Sequence, residues 1–389
     1  MEKVFDKYFK GDRIVWAVIL MLSIFSILAV YSSTGTLAFA KQNGNTLYYI
    51  MKHVSILLMG VVIIYITHLI PYKFYSRMSQ LLLLISIPLL IITLFMGTSL
   101  NQASRWITVP GIGLTFQTSD LAKLALIMYI ARQLSQKQNN IKDFKNAFIP
   151  IIAPAILICV LIVPADFSTA IILLITSVVL MFIGRVSFKY ISILGFIGAL
   201  FITIFILISL SSDNSGRIET WKNRIESYMS GESEENFQAE QAKIAIAKGG
   251  LIKMGAGKST QRNFLPQAYS DFIYAIIIEE YGLVGGALVI FLYLFLLYRA
   301  GMIVKKCNRT FPAFLAMGLT MLIVIQALFN MAVAVNLLPV TGQTLPFISM
   351  GGTSLLFTSI ALGIILSISR TNNMELAQVE PNTEDDEQT

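Results

Sequence analysis

The sequence predicts an all-α, polytopic membrane protein with about ten transmembrane helices and a large extracytoplasmic loop between the seventh and eighth. Three observations predict it. The 389 residues are 56% hydrophobic and only 13% charged, against roughly 25% charged in soluble domains. Apolar runs of ~20 residues, the length that crosses a bilayer, recur along the chain. Lys and Arg gather in alternate connections, as the positive-inside rule demands.

Taken in order, spans are expected at about 14–33, 48–68, 80–98, 119–136, 147–164, 168–184, 190–211, 272–298, 312–335 and 351–369. The first is too long for a signal-peptide core, and no small-residue cleavage site follows, so it is expected to remain. One side collects Lys3 to Arg13, Lys73 and Arg77, Arg132 to Lys145, Arg185 and Lys189, Arg299 to Arg309, and Arg370. Short loops on the other side hold Lys41, Lys52 and Arg105. Both termini therefore read as cytoplasmic, and loop 211–270 faces outward. Residues 1–370 form the membrane domain. Residues 371–389, ending Glu384-Asp385-Asp386-Glu387, read as a disordered acidic cytoplasmic tail. The net charge of +7 follows from this topology and implies no nucleic acid. Two cysteines (Cys159, Cys307) and two histidines (His53, His68) leave no disulfide framework and no Cys/His metal cluster.

Ionisable groups inside a span are costly and point to function. Glu279 and Glu280 lie two to three turns into the eighth span, and Asp271 sits at its outer junction. Asp271 suits a general base, or an N-cap of that span. Lys123, one turn into the fourth span, is expected to face Asp120, Asp166 or Glu279 in a polar cavity. Thr118 or Ser119 is expected to cap that span. Asp166, after Pro164, is expected at the outer surface. Arg105-Trp106 sits in the second outward loop. Trp106 reads as an interfacial belt residue and Arg105 as a partner for an anionic headgroup. Asn336–Ser354 is broken by prolines and glycines and reads as a re-entrant or cavity-lining loop.

Gly255-Ala-Gly-Lys-Ser-Thr260 looks like a phosphate-binding loop but fails the pattern, because Ile252 stands where GxxxxGK[ST] needs glycine. Two readings remain: a flexible glycine loop, or amides of Gly249, Gly250, Gly255 and Gly257 that cradle an anion with Lys258 and Arg262. Phe237–Lys248 reads as an amphipathic helix along the membrane surface, with Phe237, Gln241, Ile244 and Lys248 on one face.

Five groups of residues carry a resemblance that covers about 14–370. They are Arg105-Trp106 with Phe116-Gln117-x-Ser119; Asp166-Phe167-x-Thr169-Ala170; Gln238-x-x-Gln241 leading to Gly249-Gly250-Leu251 and Gly255-x-Gly257-x-Ser259-x-Gln261; Leu265-Pro266 with Asp271-Phe272-Ile273 and Glu279-Glu280-x-Gly282; and Pro339-x-Thr341-Gly342 with Leu345-Pro346-Phe347 and Gly351-Gly352. Together they resemble the shape, elongation, division and sporulation family of bacterial cell-wall proteins, most closely its division branch, FtsW. The chain departs from the family at Asp120, Gln267 and Tyr269, where glutamate, glutamate and histidine are common. The resemblance implies a peptidoglycan glycosyltransferase that polymerises lipid II and releases undecaprenyl pyrophosphate. It implies Asp271 as the catalytic base, and Arg105, Trp106, Lys123, Lys258, Gln261, Arg262 and Glu279 as substrate-binding residues. No metal site is readable, although a divalent cation could neutralise the diphosphate. The implied partners are a class B penicillin-binding protein (an FtsI-like transpeptidase) and an FtsQ-FtsL-FtsB-like division complex, in the inner membrane at the septum. Transport of lipid II, or a scaffolding role, stays open, as does a place in the elongation (RodA) or sporulation (SpoVE) branch.

The topology has a direct test. With Cys159 and Cys307 replaced, a cysteine at position 230 is expected to react with an impermeant thiol reagent in intact spheroplasts. Reaction only after permeabilisation would reverse the orientation.

Overall fold

The structure, a computed structural model, describes residues 10–42, 44–96, 98–100, 103–108, 115–211, 234–252 and 255–379. Twelve long or surface helices and one small sheet are described. In chain order they are α1 (Arg13–Ser33), α2 (Gly35–Gln42), α3 (Thr46–Leu69), α4 (Tyr72–Met96), β1 (Thr98–Leu100), β2 (Ala103–Thr108), β3 (Thr115–Gln117), α5 (Thr118–Gln136), α6 (Ile149–Ile162), α7 (Phe167–Ile183), α8 (Phe188–Ser211), α9 (Glu234–Gly249), α10 (Ile273–Lys305), α11 (Thr310–Ala334) and α12 (Thr353–Val379). Each of the ten expected spans coincides with a helix. Seven are long and apolar enough to cross a membrane: α1, α3, α4, α6 with the π-turn before it, α10, α11 and α12. α7 and the start of α8 are shorter apolar helices, and α5 carries Asp120, Lys123 and Arg132.

Several boundaries move. α4 starts at Tyr72 rather than near 80, because hydropathy marks only the apolar part of a helix whose first turns are polar and aromatic. α12 runs past Arg370 to Val379, so the tail expected to be disordered from 371 begins as helix; 380–389 lie outside the described residues. The second outward loop holds a three-stranded antiparallel sheet in the order β1-β2-β3, with Trp106 opposite Gln117 and Ile107 opposite Phe116.

The architecture turns on α5. Nearly every residue from Thr118 to Leu134 is buried, against α4, α6, α7 and α11. A helix wrapped by protein can carry charge that lipid would reject. α3 runs along α12, and small residues set their closeness: a Cβ on Gly363 would lie 1.7 Å from Thr67 Oγ1 and 2.9 Å from the Ile64 carbonyl oxygen.

α10 is interrupted at Gly282, whose φ of 71° and ψ of −176° break the helix. The freed amides do not stay bare. Leu283 N–H donates to the Gly250 carbonyl (2.9 Å) and Val284 N–H to that of Leu251 (3.3 Å). The connecting segment thus crosses the kink, and a Cβ on residue 282 would sit 2.4 Å from the Leu251 oxygen. Glycine is required for both reasons.

The α9 helix appears where expected, but its buried face is Ala239, Ala242 and Ala245, packed near Ala275 and Ile276 of α10. Phe237 and Ile244, the face expected to lie on a surface, are exposed. Alanine wins the contact because it allows the closest helix approach.

Gly363→Ala is expected to lower stability by about 1–3 kcal/mol, the range for overpacking. The check is the thermal unfolding midpoint of the purified protein in detergent. An unchanged midpoint would show that α3 and α12 can part without cost.

Candidate functional site

A cavity of about 480 Å³ opens at the helix ends that carry Asp120 of α5 and the segment before α10. Its polar lining comes from seven segments: Trp106 and Gln117 of the sheet, Asp120 and Lys123 of α5, Asp166 before α7, Gln238 of α9, Ser270 and Asp271 before α10, Gln326 of α11, and the loop 340–354. The expected non-helical character of that last loop holds, and it does line the cavity.

Asp271 precedes α10 by two residues. The N-cap of α10 is Phe272, with no side-chain cap bond, so Asp271 is not the helix cap. Its Oδ1 accepts from Ser270 Oγ at 2.8 Å, and the residue is half-buried on the cavity wall. Its backbone is held tightly. Asn330 Nδ2 donates to the Asp271 carbonyl (2.8 Å) and to the Gln343 carbonyl (2.7 Å). Ser349 Oγ donates to the Ser270 carbonyl (2.6 Å), and Met350 N–H to that of Tyr269 (3.0 Å). Burial, followed by the Asp271 carboxylate and Tyr49, pushes the Tyr269 phenol up, so it stays protonated near neutral pH.

Lys123 meets Asp120, not Asp166 or Glu279. The Nζ–Oδ1 distance is 2.8 Å, and Nζ also donates to Gln326 Oε1 at 3.2 Å. Asp120 and Lys123 are 3% and 6% exposed, so this ion pair is screened from bulk water. Asp120 Oδ2 is buried without a hydrogen-bond partner among the described residues. α5 is capped by Gln117 without a side-chain bond, so neither Thr118 nor Ser119 is the N-cap.

Asp166 is buried, 2% exposed, rather than at the surface. It caps α7 by accepting from Thr169 N–H (3.1 Å) and receives Gln343 Nε2 on both oxygens (3.1 and 3.2 Å). Gln343 also donates to Thr169 Oγ1 at 2.9 Å. Chain breaks were read as surface, but here a second loop covers the break.

The remaining residues fall into a separate cluster. Glu279 and Glu280 are 0% and 1% exposed and do not line the cavity. Glu279 accepts from Thr260 N–H (3.0 Å), Thr260 Oγ1 (3.1 Å), Gln261 N–H (3.2 Å) and Ser259 Oγ. Glu280 Oε1 accepts from Gly257 N–H and Ser259 N–H, both at 3.1 Å, and from Ser32 Oγ. The glycine loop does cradle an anion, but the anion is this chain's own pair of carboxylates. Arg262 Nη1 turns inward to the Ser32 carbonyl (3.0 Å), Gln261 is buried, and Lys258 is exposed beside the loop. Arg105 lies on β2 next to Trp106; its side chain is outside the described residues.

Of the expected site residues, then, Asp271, Trp106 and Lys123 share the cavity. Lys258, Gln261, Arg262 and Glu279 belong to the loop clamp. Among the described residues no group of three or more His, Cys, Asp or Glu is arranged to hold a metal ion. Gln326, Asn330 and Gln343 were missed. The first two stand four residues apart in the apolar run of α11, and the rule that flagged Glu279 applies to them also.

The cell cycle protein family that comprises FtsW, RodA and SpoVE matches residues 12–374. The chain belongs to this family. Among curated relatives, it is 33% identical to a probable peptidoglycan glycosyltransferase FtsW of Trichlorobacter lovleyi, covering 92% of this chain and 93% of that one. It is 32% identical to stage V sporulation protein E of Bacillus subtilis, covering 92% and 97%. Solved structures share the fold at lower identity. A chain from a peptidoglycan synthase complex described as coordinating polymerization and crosslinking aligns with TM-score 0.72 and 20% identity, covering 93% and 98%. The rod shape determining protein RodA of Thermus thermophilus aligns with TM-score 0.67 and 21% identity, covering 93% and 97%. The polytopic helical fold read from the sequence is the fold of these family members.

The clamp can be tested without any activity. A bond to a charged group contributes ~1.5–3 kcal/mol. Glu279→Ala is therefore expected to speed amide exchange at Thr260 and Gln261 by roughly 10–100-fold, read by hydrogen-exchange mass spectrometry. Unchanged exchange would mean that the loop is held by other contacts.

Proposed function

We propose that this chain is a peptidoglycan glycosyltransferase that polymerises lipid II, and that all ten helices at the expected spans cross the membrane with both termini cytoplasmic. The observation that carries the reading is the half-buried Asp271 carboxylate in a polar cavity at the outward helix ends, with a buried Asp120–Lys123 pair in the same wall. Family membership and relatives named as glycosyltransferases support it.

The chemistry follows from the groups present. Asp271 takes the proton of the acceptor sugar hydroxyl as that oxygen bonds to the anomeric carbon of the donor. The anomeric carbon–phosphate oxygen bond breaks, and undecaprenyl pyrophosphate leaves with the electron pair. Lys123 is the one cation among the described cavity-lining side chains, so it faces charge that develops on the diphosphate. Trp106, opposite Gln117 at the mouth, offers an aromatic face to a sugar ring. Arg105 is beside it on the same strand. In this reading Lys258, Gln261, Arg262 and Glu279 shape the wall that carries α10 rather than touch the diphosphate. A class B penicillin-binding protein would crosslink the product, and the division branch of the family places the work at the septum with an FtsQ-FtsL-FtsB-like complex.

Asp271→Asn and Asp271→Ala are both expected to cut lipid II polymerisation by the ~10²–10⁴-fold typical of a lost general base. Both should leave the unfolding midpoint unchanged, because Asp271 caps no helix. The assay uses labelled lipid II and purified protein with its cognate transpeptidase. Polymer made at the wild-type rate by Asp271→Asn would remove Asp271 as the base. No polymer from the wild type would favour transport, since detergent leaves no membrane to cross.

A further inference from the structure

We propose that the cytoplasmic ends of α4, α5 and α11 form a binding site for the headgroup phosphate of an anionic phospholipid. The inference rests on the membrane reading and orientation, not on the glycosyltransferase reading. A second cavity, of about 630 Å³, lies there, at the opposite end of α5 from Asp120. Lys73, Arg77, Arg132 and Arg309 line it, and no Asp or Glu does. Glu375 lies within electrostatic range of Tyr72 without lining the cavity.

The site is built rather than a loose patch of lysines. Arg309 occupies the N-cap position of α11, where the helix presents its positive end. Arg132 Nη1 is fixed by donating to the Ser76 carbonyl at 2.5 Å. Its Nε is buried with no partner among the described residues. The same holds for the hydroxyl of Tyr72, a residue only 3% exposed that lines the cavity. Ser135 Oγ and Thr310 Oγ1, 2.6 Å apart, tie α5 to α11 across the floor. Two buried donors and four cations around one space fit an oxyanion that accepts several hydrogen bonds at once.

The face beside the cavity selects a lipid over a soluble phosphate. Arg77 stands on α4 in line with Phe74, Leu81, Leu84 and Phe95, spaced by three, four or eleven residues along one helix face. These four are 52%, 55%, 68% and 85% exposed. Acyl chains can lie along that stripe while the headgroup reaches the arginines. Basic pockets between helices on the cytoplasmic side are where anionic headgroups bind.

The test uses the full chain in uncharged detergent, titrated with phosphatidylglycerol, phosphatidylcholine or inorganic phosphate and read by native mass spectrometry. Arg77→Gln/Arg309→Gln removes two exposed cations of the site. Lys142→Gln/Lys145→Gln removes two exposed cations elsewhere on the same side. Retained phosphatidylglycerol is expected to fall roughly 30-fold in the first variant, from ~1 kcal/mol for each of two surface cations, and to stay at the wild-type level in the second. Phosphatidylcholine is expected to be lost from every form. Equal losses in the two variants, or phosphatidylcholine held as well as phosphatidylglycerol, would overturn the site. Inorganic phosphate that displaces the lipid at equal concentration would overturn the lipid as its ligand. Retention that appears only after deletion of residues 380–389 would assign the cavity to the chain's own acidic end. None of these readouts depends on polymerisation, so this proposal and the catalytic one fail separately.

Discussion

Two adjacent carboxylates buried near the start of α10 are the constraint on which the cavity-bearing half of the molecule depends. Glu279 and Glu280 have almost no access to water. A buried charge survives only when its acceptor sites are filled. Backbone amides and hydroxyls of residues 257–261, with Ser32 of α1, fill both oxygens of Glu279 and Oε1 of Glu280, while Glu280 Oε2 is buried without a partner among the described residues. The demand runs both ways: the carboxylates need the loop, and the loop's amides need acceptors. The kink at Gly282, just beyond, adds two loop carbonyls to the same join. A polar segment is thereby bonded into a membrane helix, and the stretch that carries Asp271 starts from a fixed point.

The cavity beside it follows another rule. Its walls meet through side-chain amides rather than through charges. Gln326 links Lys123 to the Thr344 carbonyl, Gln343 links Asp166 to Thr169, and Asn330 links Asp271 to Gln343. An amide both donates and accepts, so it can join a lysine to a carbonyl or a carboxylate to a hydroxyl without adding net charge. The buried ion pair of the cavity wall, Asp120–Lys123, is supported by such an amide. That support offsets part of the desolvation cost that makes isolated buried pairs unfavourable.

The bundle was legible because its signals are long and redundant. Ten apolar runs predicted ten helices, and only their polar ends were misplaced, as at Tyr72 and Val379. The glycine loop was legible only as either a flexible loop or an anion cradle, because glycines stand there beside Lys258 and Arg262. Which anion it holds was not, since nothing local says that the loop folds back onto residues about twenty positions later. Asp271 was legible as an ionisable group at a junction; that Phe272 takes the cap position depends on backbone geometry alone. Asp166 was misread because burial of a chain break depends on Gln343, 177 residues away. The alanine face of α9 was missed because periodicity ranks large apolar side chains above small ones, whereas close helix contact does the reverse.

Asn330 has a mechanical consequence. One amide nitrogen on a spanning helix bonds the carbonyls of both Asp271 and Gln343. Asp271 and the loop facing it are thus riveted to the same point of α11. Helices tilt to match bilayer thickness. When α11 tilts, both rims of the cavity travel with it, and the gap between them keeps its width. The spacing of the two walls is therefore referenced to a helix inside the protein rather than to the lipid surface.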